Sequence, residues 1–334
     1  MRADYALAGA EAGDRAPHVD RDGDGLVSDV EVQEFTELAR TIGFSQRFSR
    51  SLLALQVGIT LAMCGAAFQV LFRNPLATPY TLGIASGGSL GALAALRAGL
   101  IATIAGVSGV ALGAFAGAIL VVATVFFIAR GSRRLTSNEL LLAGVTLGLF
   151  CSAMMMFLTS VSNERETFFI VRWMMGSLDP VRTIEGALLL PLIIPAWIVL
   201  TLSGRALNQY RLGEELAASR GVNVRALQII CVLVCTLATA GVVAQCGPIG
   251  FVGLVVPHIV TLLFGCDCRI LIPASGLAGG AFLIVCDWAS QLSMRAAGAL
   301  SGKQLGSATL PIGVVTAIVG VPIFLVLLRT RRRV

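Results

Sequence analysis

Formal charge is scarce in this sequence: only 13% of its 334 residues are Asp, Glu, Lys or Arg, against about 25% in soluble domains. Histidine is scarcer still, with two residues, and no second histidine stands near His258 to share a metal. The eight cysteines show no disulfide-framework spacing. Six of them (Cys64, Cys151, Cys231, Cys235, Cys246 and Cys286) lie in apolar stretches and read as packing residues. Cys266 and Cys268 supply two ligands around Asp267, too few to close a tetrahedral zinc site. No GxxxxGK[ST] run is present, which excludes a phosphate-cradling loop of that kind. Residues 1–15 are mixed and acidic rather than basic then apolar, so no secretory signal is expected there. No general base, nucleophile or second acid neighbours Asp287, so no catalytic constellation is expected and the chain does not read as an enzyme.

What is abundant is apolar length. Hydrophobic residues make up 56% of the chain, and mean hydropathy is +0.85. From Ser51 to Phe72 the run SLLALQVGITLAMCGAAFQVLF carries no charge and is long enough to cross a bilayer. Comparable stretches follow, so the fold class is an all-α polytopic membrane protein. Nine crossings are predicted, at 51–72, 80–96, 100–128, 138–160, 184–203, 226–246, 249–264, 271–290 and 310–328. The third, uncharged from Ile101 through Ala129, has room to tilt or to include a bent end. The uncharged region from Ala226 to Cys266 is split at the helix-breaking Gly247-Pro248 pair.

Charge is also unevenly placed. Residues 1–38 hold ten acids and three arginines (10 − 3 = 7 net negative), leaving nine acids and twenty-two basic residues for the remainder (22 − 9 = 13 net positive). The basic residues sit in short gaps between apolar spans, which points to membrane topology and away from nucleic acid. Thirteen fall on one side of the predicted spans: Arg73, Arg130, Arg133, Arg134, the four arginines of 204–225, Arg269 and the four of the C-terminal tail. Six (Arg97, Arg165, Arg172, Arg182, Arg295 and Lys303) fall on the other. The positive-inside rule makes the first side cytoplasmic, with the C-terminus there and the N-terminus outside. The expected location is a plasma membrane, the inner membrane of a bacterium. Gly83, Gly87 and Gly91 recur every four residues, as do Gly109, Gly113 and Gly117, and Gly144 pairs with Gly148. Such faces let helices approach closely in lipid, in a structural bundle as much as in a transporter.

The segment LGEELAASRGVNVRALQ, Leu212–Gln228, interrupts the spans with a polar helical stretch, a break at Gly221 and a second helical start. By composition it fits either a solvated linker or a short lever for a partner. The run GAAFQVLFRNPLATPYTLGIASGGSLGA (65–92), then NELLLAGVTLGLF (138–150), WMMGSL (173–178), GPIGFVGLVVPHI (247–259) and LPIGVVTAIVGVPIFLVLLR (310–329) decide more. In this order they resemble the FecCD/BtuC-like permeases of ABC importers for iron-siderophores, haem or cobalamin, over about residues 45–330.

The resemblance implies a BtuC-like bundle working as a homodimer, with the path between two copies. It also implies two cytoplasmic ATPases that bind the ATP, and an extracytoplasmic substrate-binding protein. Leu212, Gly213, Glu214, Glu215, Ala217, Arg220 and Gly221 fall in the family's coupling segment, which docks on the ATPase. Arg165 and Arg172, in the outward loop 161–183, are candidates for docking the binding protein. Three departures stand out: family members usually have ten spans and the first is missing here, Thr261 replaces a common arginine, and Ser219-Arg220-Gly221 replaces a Leu-Gly ending.

The acidic front, residues 1–45, reads as a separate extension. Within it DRDGDGLVSDVE (20–31) has the spacing of a single EF-hand loop, with Asp20, Asp22 and Asp24 at its first, third and fifth positions. Gly25 makes the turn, Leu26 offers its carbonyl, Ser28 its side chain, and Glu31 the closing carboxylate. Calcium is the expected ion, although one loop without a pair, preceded by Pro17 and Gly13, fits a remnant as well. Two other functions stay open on the residues alone: a secondary transporter or channel, and a calcium-responsive sensor or assembly protein.

Overall fold

The computed structural model describes residues 29–100, 103–104, 107–129, 137–178, 183–301 and 310–331. The chain forms two units, Met1–Ser49 and Arg50–Val334. In the first, the backbone is helical from Asp29. The second is a helical bundle, whose elements in chain order are α1 (Asp29–Leu71, packing from Arg50 onward), α2 (Ile84–Arg97), α3 (Gly109–Ala129), α4 (Ser137–Ser160) and α5 (Glu164–Met174). There follow α6 (Thr183–Leu202), α7 (Gly204–Leu212), α8 (Glu214–Ser219), α9 (Val224–Cys246), α10 (Val252–Phe264), α11 (Cys268–Ser301) and α12 (Ile312–Arg331).

Five helices among the described residues are long and apolar enough to cross a membrane, or six if the bent pair α6–α7 counts as one span. The chain is therefore a multi-pass membrane protein. The predicted third span is differently built at its start. Two short antiparallel strands, β1 (Thr103–Ile104) and β2 (Val107–Ser108), precede α3, where uncharged sequence had suggested helix from residue 100. Gly99 at φ 73° ends α2 there, and the β-branched Thr103, Ile104 and Val107 favour extended backbone, Thr103 pairing with Ser108 and Ile104 with Val107. The predicted seventh span is helical for thirteen residues only, because Gly247-Pro248 and Phe251 at φ 66° delay its start to Val252.

Glycine faces set the packing. A methyl group added to Gly91 would overlap the Gly113 carbonyl, and one on Gly117 the Gly87 carbonyl, so the predicted small faces of α2 and α3 do meet. Gly144 on α4 lies against Leu82 in the same way. Two contacts were not legible as repeats: Gly65 of α1 against Gly253 of α10, and Gly58 of α1 against Gly279 of α11. They place α1 at the centre, with 78% of its most apolar window buried against 22% for α4. Exposed Leu149, Phe150, Met156 and Phe157 give α4 an apolar outer face suited to lipid or a second copy.

Among the described residues, one ion pair lies inside the bundle. Arg50 Nε donates to Asp287 Oδ1 at 2.7 Å, and Gln291 Nε2 donates to Asp287 Oδ2 at 2.8 Å. Asp287 thus links α1 to α11. His258 is buried on α10, edge-on to Phe324 of α12 at 6.4 Å between ring centres.

Candidate functional site

The polar segment between α6 and α9 forms a bracket at one end of the bundle. Pro191 and Pro195 lie within α6, and the chain bends by 52° between α6 and α7. Gly204 lets α7 press on the backbone of Cys268 and Arg269. Gly213, at φ 142° and ψ 145°, turns the chain between α7 and α8. Glu214 and Glu215 open α8, where carboxylates suit the positive end of a helix. Gly221 at φ 84° closes it: its N–H donates to the Ala218 carbonyl at 3.0 Å, and Val222 N–H to Ala217 at 3.0 Å. Asn223 then caps α9, its side-chain oxygen accepting from the Ala226 N–H at 3.0 Å.

Of the predicted residues, Leu212, Glu214, Glu215, Arg220 and Gly221 are exposed, and Ala217 alone is fully buried. The segment therefore offers a short, mixed-charge, partly apolar surface whose underside is fixed. Three attachments fix it. Asn208 Nδ2 donates to Asp267 Oδ1 at 2.6 Å while its Oδ1 accepts from the Cys268 N–H at 2.8 Å. Arg211 Nη1 donates to the Cys266 carbonyl at 2.7 Å. Tyr210, only 1% exposed, is held by Arg73, Glu214 and Gln228. Arg73 itself has φ 48°, a left-handed conformation that costs an L residue about 1–2 kcal/mol and is offset here by its contacts with Tyr210. Hydrogen bonds from Asn208 and then from the Arg269 N–H hold the Asp267 carboxyl below its ordinary pKa.

Tyr210, Asn208, Asp267 and Arg73 escaped the sequence reading as members of one site, because the fold assembles them from three separate segments: the end of α1, α7 and the start of α11. Their only signal was being polar residues beside breaks between apolar runs.

At the opposite end of α6, α5 occupies the predicted outward loop. Its Arg97 contact is tight: Arg97 Nε lies 3.5 Å from Glu166 Oε2 and Nη2 donates to the Val161 carbonyl at 2.7 Å. Arg172 is exposed and lines a cavity of about 210 Å³ with Arg50, Phe168, Ser177 and Pro311. Arg165 lies on the same helix, its side chain outside the described set. Asp20, Asp22, Asp24, Leu26 and Ser28 also lie outside the described residues, and Glu31 is described only as helical backbone. Among the described residues no group of three acidic, His or Cys side chains is placed to hold a metal.

These observations describe a bundle with a rigidly footed bracket, and comparison with known proteins gives it a family. Residues 25–330 match the model of the FecCD transport family. The chain belongs to that family. The match begins at residue 25, within the stretch read above as an extension. The Cobalamin import system permease protein BtuC of Halobacterium salinarum is 37% identical over 295 residues, covering 88% of this chain and 75% of that protein. The Vitamin B12 import system permease protein BtuC of Salmonella paratyphi A is 38% identical over 284 residues, covering 84% and 82%. A solved inward-facing conformation of a metal-chelate type ABC transporter superposes with a TM-score of 0.74 at 29% identity, over 85% of each chain. The chain is a permease subunit of the ABC-importer kind and is not an enzyme.

Proposed function

We propose that this permease works as a homodimer carrying a corrinoid across a plasma membrane, driven by two cytoplasmic ATPases that seat on Leu212–Gly221. The observation that carries the coupling role is the bracket's build. Its outer residues Glu214, Glu215 and Arg220 are open to a partner while Ala217 and Tyr210 are locked beneath. A solvated linker has no need of such footing, whereas a lever must not yield at its base. The corrinoid follows from the printed roles of the two BtuC relatives, and ferric siderophores and haem are the other arms of the test.

In this reading the chain crosses the membrane nine times. The bent pair α6–α7 and the shorter α2, α10 and α12 then count as crossings beside the five long helices, with the C-terminus and the bracket in the cytoplasm and the N-terminus outside. Arg165 and Arg172 on α5 then face an extracytoplasmic binding protein, where acidic partners would steer docking. Residues 20–31 form a calcium loop in that same outer compartment, supported by the ligand spacing of Asp20, Asp22, Asp24 and Glu31 and by helical backbone at Asp29–Glu31. An ion-coupled carrier is less well supported, since both Asp287 oxygens are engaged by Arg50 and Gln291.

The test is reconstitution in vesicles with the co-captured ATPase. ATP-dependent uptake of labelled cyanocobalamin, ferrichrome or haemin is expected for one substrate, and Gly221→Val with Glu214→Lys should abolish it while insertion persists. Uptake at wild-type rate in that variant would refute the coupling assignment. Calcium titration of the full chain beside Glu31→Gln tests the loop, and identical curves would remove it.

A further inference from the structure

Tyr210 belongs to none of the motifs quoted above for the family, and at 1% exposure it is enclosed by its own chain. It nevertheless joins three elements. Its carbonyl accepts from Arg73 Nη2 at 2.9 Å, and the Arg73 guanidinium carbon lies 5.0 Å from its ring centre, tying it to the end of α1. Its hydroxyl donates to Glu214 Oε1 at 3.0 Å, tying it to α8, and accepts from Gln228 Nε2 at 3.0 Å, tying it to α9. The other two feet of the bracket, Asn208–Asp267 and Arg211–Cys266, are exposed and open to competition from water. They also lead to α11 alone, whereas Tyr210 leads to the most enclosed span, α1, and to α9.

Packing does not explain the hydroxyl. Phenylalanine would fill the same space and keep the Arg73 contact, but could not stand between a carboxylate on α8 and an amide on α9. We propose that Tyr210 is a positioning residue that transmits displacement of the α7–α8 bracket into α1 and α9, and so sets how much substrate moves per ATP. This rests on the reading of Leu212–Gly221 as the coupling segment. A rigid link is what the location requires: if α8 were driven by a partner while α9 and α1 stayed behind, the motion would end at the bracket.

Tyr210→Phe is the informative variant, compared with wild type as the complex with its captured ATPase in vesicles. Two readouts are taken. One is uptake per ATP hydrolysed, using whichever of cyanocobalamin, ferrichrome and haemin the wild type carries. The other needs no substrate: Trp197 Nε1 donates to Thr60 Oγ1 at 3.0 Å between α6 and α1, so its emission, with Trp173 and Trp288 replaced by Phe, reports on vanadate trapping at that contact. The expected result is ATPase capture and melting temperature like wild type, uptake per ATP down about tenfold for two lost hydrogen bonds, and a blunted Trp197 response. Gln228 Nε2 also reaches Glu214 Oε1 directly at a long 3.5 Å, so adding Gln228→Leu should change the ratio by less than about twofold further, because both variants cut mainly one link.

An unchanged ratio and Trp197 response would overturn the inference. So would a loss that merely follows lowered melting temperature or ATPase capture, or effects of the two variants that multiply. A wild type that captures no ATPase would sink the parent reading and this one together. Wild-type coupling with an unaltered Tyr210→Phe would sink this one alone.

Discussion

Removing Asp287 should harm this bundle far more than removing Asp287 and Arg50 together. The pair is 2.7 Å apart, with side chains 10% and 0% exposed, and the second carboxylate oxygen is filled by Gln291. At an effective dielectric of about 20, charges this close attract by roughly 6 kcal/mol, comparable to the several kcal/mol each ion loses on leaving water. The intact pair therefore contributes little net stability. Asp287→Leu leaves the Arg50 guanidinium buried without its counter-ion, and should cost about 3–5 kcal/mol. Arg50→Met with Asp287→Leu replaces both charges by apolar groups of similar size and should return to within ~1 kcal/mol of wild type. Unfolding by sodium dodecyl sulfate in mixed micelles, followed by far-ultraviolet circular dichroism, measures all three against wild type. A single variant costing under about 1 kcal/mol, or a double variant as unstable as the single, would refute the reasoning.

Gly65→Ala should destabilise by about 1–3 kcal/mol or more, since its methyl would overlap the Gly253 carbonyl, while Gly250→Ala, with no neighbour in reach, should stay within about 0.5 kcal/mol. The same detergent titration separates them. Asp267 has a depressed folded pKa, so its stabilising contribution is present above the unfolded aspartate value of about 3.9 and disappears as pH falls through the folded value. The melting temperature of wild type should thus fall more steeply on acidification below about pH 4 than that of Asp267→Asn, and parallel curves would count against it. Arg172→Glu should weaken capture of the extracytoplasmic binding protein about tenfold by reversing one charge, measured by surface plasmon resonance at low salt, with unchanged capture counting against the docking face.

The five long spans were legible because lipid demands long uncharged runs, and the glycine repeats of α2 and α3 were legible because close approach demands small residues at fixed spacing. Gly65 and Gly58 were not, since each stands alone and its partner, Gly253 or Gly279, lies more than 180 residues away. Helix ends were the least readable part. Strands β1 and β2 consist of uncharged residues that satisfy a hydropathy window as well as a helix does. Helix α5 stood in sequence that looked like a loop because Glu164, Arg165 and Glu166 masked the apolar positions Phe168, Phe169, Ile170 and Val171.

The proposed coupling segment divides in the same way. Its outer face could be picked from consecutive residues, because a surface offered to a partner is contiguous in a six-residue helix such as α8. Its foundation could not, because stiffness comes from attachments to other elements: Arg73 after α1, Tyr210 in α7, Gln228 in α9 and Asp267 before α11. Sequence patterns of 3.6 residues record which way a helix faces and carry no trace of which distant side chain its tyrosine will meet. A lever's contact face is thus local information and its fulcrum is not. Substitutions on the outer face should alter which ATPase binds, whereas substitutions at the foundation should alter what binding accomplishes.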